Sequence, residues 1–168
     1  MTVSKADQKT DNVTGGARVL FLYPNERGMS TVPAATAILS RILKDAGHIT
    51  DLFDTTFYEF VDEIAIRDFD EIFTEGLNYK PVSDEDDDEF HIKKTNRSAV
   101  DDLRAQITEF KPDIIAVSTT ETTFKRALVL IQATRDMGVP NVFGGVFPTF
   151  APDLTMSYPA VDMVCVGE

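Results

Sequence analysis

The sequence predicts an α/β domain with a doubly wound parallel sheet, and three observations predict it. Arg18–Tyr23 (RVLFLY) and residues 113–117 (DIIAV) are apolar almost throughout, as expected of short strands covered on both faces. Between such runs lie segments whose apolar residues recur at helical spacing, so strand and helix alternate along the chain. The last quarter, residues 140–168, reads as strand, glycine-rich turn, short helix and strand. A turn of that kind at the carboxyl end of a parallel strand sits where open α/β sheets bind ligands.

Composition bounds the rest. At 168 residues the chain fits one domain, which would bury about 70% of its unfolded surface. Apolar residues at 43% and charged residues at 26% are ordinary for a globular chain. The net charge of −12 argues against a nucleic-acid partner, and the acidic run at residues 84–89 contributes half of it. Cys165 is the only cysteine, which excludes an internal disulfide and a cysteine-rich zinc or iron–sulfur site within this chain. With no apolar stretch of signal-peptide or membrane-span length, a cytoplasmic location is expected.

The elements follow in order. Residues 1–17 are polar and end in Gly15 and Gly16, so a flexible leader is expected, with the domain running over residues 18–168. The first strand ends at Pro24. A helix should follow, with Ser30 or Thr31 as cap, Pro33 in its first turn, Gly47 beyond its end, and Ala35, Ile38, Leu39, Ile42, Leu43 and Ala46 as its buried stripe. HITDLFD is a second, more polar strand that suits the sheet edge. Residues 55–97 read as an insertion, helical in its first half and an acidic solvated loop in its second.

Ser98 with Asp101 caps the next helix, whose stripe is Val100, Leu103, Ile107 and Phe110, and Pro112 stops it. The strand at 113–117 leads to a helix opening at Thr122 or Thr123, with Phe124, Ala127, Leu128 and Ile131 inward and Gly138 at its close. Pro140 starts the fourth strand, and residues 163–166 form the fifth. The simplest topology is flavodoxin-like, five strands in the order 2-1-3-4-5.

In that order PNERGMST, STTET and GGVFPT face one crevice. They offer hydroxyls, small side chains and main-chain amides, and little for acid–base catalysis. His48 opens the second strand and His91 lies in the insertion, so neither reaches the crevice, and no residue is assigned to a metal. A phosphoryl-accepting receiver would need an aspartate where Ser118 stands, and a dinucleotide fold would need GxGxxG after the first strand. An FMN carrier and an interaction domain without cofactor stay open on these residues.

RVLFLYPN, TVPAA, KPDIIAVS, GGVFPTFAPD and VDMVCVGE, in this order and spacing, resemble the amino-terminal cobalamin-binding domain of cobalamin-dependent radical S-adenosylmethionine enzymes. The resemblance implies a corrin over the strand ends and a nucleotide tail entering near Ser118 and the Gly144–Gly145 turn. Pro24 and Asn25 would meet the lower corrin face, with Ser118, Thr119, Thr120, Gly144, Gly145, Val146, Phe147 and Pro148 around the tail and Gly28 also among the cofactor-binding residues. Gly167 and Glu168 would form the crevice rim. In cobalamin carriers with DxHxxG the histidine ligates cobalt; here Tyr23 and Asn25 replace the aspartate and histidine, while Gly28 keeps its place. The resemblance therefore implies cobalamin held with neither its own base nor a histidine below cobalt. Thr120 stands where such carriers have leucine in SxL. S-adenosylmethionine and a [4Fe–4S] cluster would belong to a radical enzyme barrel expected after residue 168, because one cysteine cannot supply CxxxCxxC.

Overall fold

Residues 15–25, 33–58 and 95–167 are described by a computed structural model of the chain. Strand β1 (Arg18–Tyr23) is followed by α1 (Ala34–Asp45) and β2 (Ile49–Asp54). After α2 (Ala99–Phe110) come β3 (Ile114–Ser118) and α3 (Glu121–Ala133). β4 (Asn141–Gly144), the short helices α4 (Val146–Phe150) and α5 (Pro152–Met156), and β5 (Met163–Val164) complete the order. The five strands make one sheet in the order β2-β1-β3-β4-β5, every pair parallel. Both the topology and the two-sided burial of β1 match the sequence expectation. No described helix is long and apolar enough to cross a membrane.

Register divides the strand residues into two faces. Leu20, Leu22, Phe53, Ile115, Val117 and Phe143 point one way and are buried with Leu103 and Ile107 of α2 and Phe124, Ala127, Leu128 and Ile131 of α3. This is the main core. On the opposite face Val19 and Phe21 are buried, yet Ile114, Ala116 and Val142 are half-buried and Met163 is exposed. Helix α1 lies on that second face, where Ser40 and Thr50 hydroxyls share a hydrogen bond of 2.6 Å.

The sequence misplaces the buried side of α1. Thr36 is buried, Ser40 and Leu43 are half-buried, and these positions stack at i, i+4 and i+7 against the sheet. Ala35 and Ala46 are exposed, and Ile38, Leu39 and Ile42 are 61%, 50% and 57% exposed. The adopted rotation brings Ser40 to the Thr50 hydroxyl of β2. Ser30 and Thr31 lie outside the described residues, and Pro33 is the residue before the first helical turn.

Other ends shift by smaller steps. Helix α3 begins at Glu121 because Thr123 sits in its first turn and its hydroxyl accepts the Thr120 amide at 3.0 Å. β3 therefore runs one residue further, through Ser118. β5 is shorter than expected, although Cys165 still donates its amide to Phe143 O at 2.8 Å. Ala17, the last residue of the expected leader, accepts from Ile49 N at 2.9 Å and donates to His48 Nδ1 at 3.0 Å. Helix α2 starts as expected, Ser98 Oγ accepting from Asp101 N, and closes at Lys111, whose φ of 50° is left-handed.

Tyr58 and Thr95 flank residues 59–94, which lie outside the described part. Tyr58 and Thr95 form a parallel bridge, Thr95 N donates to Phe57 O at 2.9 Å, and Tyr58 Oη donates to Asp102, which also pairs with Arg97. The expected helix and acidic loop fall within residues 59–94, outside the described part, as do residues 1–14 of the expected leader.

Two measurements check this packing. Leu103→Ala, at a fully buried site, is expected to lower unfolding stability by about 2–5 kcal/mol, whereas Ile42→Ser should stay within about 0.5 kcal/mol, both read by denaturant titration. Burial, and next the hydrogen bond to Asp102, push the Tyr58 phenol up to about 12. A raised folded value means this contribution is complete below the free phenol's range near 10 and is lost as pH rises through 12. Phenolate absorbance should show a late titration step that Tyr58→Phe removes.

Candidate functional site

Because every strand is parallel, the exits of β1, β3 and β4 open along one edge of the sheet. The β1 exit is the tightest. Asn25 N donates to Tyr23 O at 2.9 Å across Pro24, and Pro24 and Asn25 are both buried. Thr55, fully buried at the β2 exit, staples this turn with two donors: its amide reaches Tyr23 O at 3.2 Å and its hydroxyl reaches Asn25 O at 2.8 Å. Asn25 Nδ2 donates to Thr56 Oγ1 at 2.9 Å, and Thr56 donates onward to Asp54. From α3, Arg126 Nη1 donates to the same Asn25 carbonyl at 2.8 Å.

The β3 and β4 exits are locked backbone to backbone. Thr119 is 2% exposed and donates its amide to Gly144 O at 2.9 Å. Gly145 has φ 103°, and a Cβ built there would sit 2.6 Å from Thr119 O, so only glycine allows this approach. Gly144 differs: a Cβ there would meet only Cys165 Cβ, at an ordinary 3.7 Å. Its glycine leaves room in front of the sheet, on the half-open face it shares with Ser118, Ala116 and Val142. Toward the opposite face the space is filled, since the Phe124 ring lies 5.7 Å from Phe143, 4.4 Å from Phe147 and 5.4 Å from Tyr158.

The structure brings together Pro24, Asn25, Ser118, Thr119, Gly144 and Gly145 along this edge, with Pro148 buried behind it. Val146 and Thr120 are exposed, and Phe147 turns into the aromatic cluster. Gly167 donates its amide to Thr149 Oγ1 at 3.2 Å, while Gly28 and Glu168 lie outside the described residues. His48 is bound to Ala17 at the opposite, amino-terminal end of the sheet, and His91 is outside the described part. Sequence reasoning missed Thr55, Thr56 and Arg126. Arg126 could not be found by pattern, because it lies beside a core stripe and its partner is a carbonyl 101 residues away.

Among the described residues, displaced protonation belongs to structural pairs. Arg104 holds Asp136 below the usual carboxylate range and is itself raised by that pairing, joining α2 to the turn after α3. None of the displaced groups stands on the β1, β3 or β4 exits. The described part of the edge is lined largely by carbonyls, amides, hydroxyls and glycines, with Asp54 and Arg126 bonded into its walls. Such a surface can recognise a ligand by shape and hydrogen bonding.

Comparison with known proteins agrees. A search of curated proteins found no match. Two solved structures of the radical S-adenosylmethionine methyltransferase TsrM from Kitasatospora setae share the fold at 18% identity and TM-score 0.52. The one with tryptophan substrate and an S-adenosylmethionine analogue aligns with 82% of this chain, and the one with cobalamin and a [4Fe–4S] cluster with 85%. This chain spans about a fifth of the length of those structures, 21% and 22%. The profile of the B12 binding domain matches residues 84–168, which carry β3, β4, β5 and the glycine turn. The match covers half of the sequence and includes two of the three exits that form the edge, and so the chain belongs to the B12-binding domain family.

Proposed function

We propose that this chain is the cobalamin-binding module of a radical S-adenosylmethionine enzyme, methyltransferase or tetrapyrrole-cyclase-like, and holds the corrin without a histidine ligand. The observation that carries the reading is the small-residue column Ser118, Gly144, Ala116 and Val142 on the half-open face, running down from the edge where the B12-binding profile matches. The column fits a flat aromatic base on a flexible tail: hydroxyl and main-chain donors at the top, then apolar surface that is only half covered. The other face is filled by Phe124, Phe143 and Phe147, so the tail would lie over Ala116 and Val142.

The ring would rest above the Pro24–Asn25 turn. The Asn25 carboxamide is engaged with Thr56, which keeps it in the wall of the edge. Bound cobalamin would supply a cobalt centre able to carry a transferable carbon group. The residues of this chain hold and orient it, and keep bulk out of its path. S-adenosylmethionine and the [4Fe–4S] cluster would bind to protein outside these residues, because Cys165 alone cannot hold a cluster. A cytoplasmic setting and the absence of a nucleic-acid partner belong to the same reading.

Incubation with hydroxocobalamin followed by gel filtration tests it. The expected result is a coloured protein peak with a tail-displaced spectrum; a colourless peak would sink the reading, and a yellow protein as purified would favour FMN instead. Two variants separate the roles of the glycines. Gly144→Val should fold and bind cobinamide, which lacks the nucleotide tail, yet lose cobalamin affinity about tenfold or more, roughly 1.4 kcal/mol, by absorbance titration. Gly145→Ala should instead lower unfolding stability by about 1–3 kcal/mol and weaken both ligands, because its methyl group collides with Thr119 O.

A further inference from the structure

Two donors converge on the Asn25 carbonyl, the Thr55 hydroxyl from the β2 exit and the Arg126 guanidinium from α3, each at 2.8 Å. A carbonyl has two lone pairs, and these contacts occupy both. They join three elements that are far apart in sequence at the point where β1 gives way to the loop before α1. Arg126 is half-buried and brings a fixed charge to that point, and a charge-assisted hydrogen bond is stronger than a neutral one.

The geometry points to Arg126 as a positioning residue of the ring-facing side of the crevice: through the Asn25 carbonyl it fixes the Pro24–Asn25 main chain against which a corrin would lie. The inference rests on the proposed function. It goes beyond it by assigning a role to a helix residue that makes no expected contact with the ligand. The turn is held from the protein side by Thr55, Thr56 and Arg126.

The location of the clamp gives a specific signature. It braces the β1 exit, whereas Ser118 and Gly144 belong to the β3 and β4 exits, so its loss should penalise ring binding and leave the tail contribution unchanged. The experiment compares the full chain with Arg126→Met and Arg126→Lys, titrating each with hydroxocobalamin and with cobinamide and recording the melting temperature of the unliganded protein. Arg126→Met is expected to weaken both ligands by the same factor, about tenfold or more. Arg126→Lys, which keeps a charged donor, should recover most of that loss.

Wild-type affinity in Arg126→Met would overturn the assignment while leaving the cobalamin reading intact. So would a loss confined to cobalamin, or a loss that follows a fall in melting temperature and is not recovered by lysine. A wild-type chain that takes up neither ligand would refute the cobalamin reading itself, and this inference with it. If Arg126→Met fails to fold, Arg126→Lys decides: a folded lysine variant should bind both ligands with a matched, smaller loss, and unequal losses would refute the assignment.

Discussion

The parallel register of β1, β3 and β4 is the constraint from which the rest of the molecule follows. Parallel strands require crossovers of one hand, and the crossovers bring every strand exit to the same edge. Here the pairing Leu22 with Val117 and Val117 with Phe143 aligns the ends of the three strands to within a residue or two. The exits can then bond to one another, as Thr119 does to Gly144 and Thr55 does to Tyr23 and Asn25. The edge is consequently held by contacts within the chain itself. Main-chain groups held this way lose little freedom on binding, which is the usual source of affinity in a site with few charges.

The two faces of the sheet play different parts. One is closed by α2, α3 and an aromatic cluster, and supplies the hydrophobic burial that keeps the domain folded. The other carries α1 through a narrow contact of Thr36, Ser40 and Leu43, and leaves Ile114, Ala116 and Val142 half-covered. A parallel sheet with apolar residues on both faces normally has both covered. The asymmetry therefore separates the side that stabilises from the side that has room.

Much of this was legible in the sequence. Strands such as RVLFLY and DIIAV announce themselves, because two-sided burial demands an uninterrupted apolar run and few other structures do. Ser98 with Asp101 identified the start of α2 because a cap is a contact between residues three apart. The orientation of α1 was not legible, since a broad stripe of alanine, leucine and isoleucine fits several rotations of a helix, and the one adopted buries Thr36 and sets Ser40 against Thr50. The glycine turn was found, but its two glycines looked alike. Only their environments distinguish them, Gly145 pressed onto Thr119 O and Gly144 facing open space. The Asn25 clamp was invisible for a related reason. Its acceptor is a main-chain carbonyl, and every residue has one.

That last point bears on how such an edge comes to select a ligand. A site that works through side-chain acids and bases must place particular residue types at particular positions, and it can be read as a motif. A site that works through carbonyls, amides and missing side chains places conformations instead, and its requirements appear in the sequence only as permissions: glycine where a methyl would collide, proline where a turn must be tight, small residues where a path must stay clear. The residues that enforce those conformations then stand outside the site, as Thr55 and Arg126 do. Within the described part of this edge the requirement is one of conformation, and it is met by contacts between strand exits rather than by a run of residue types.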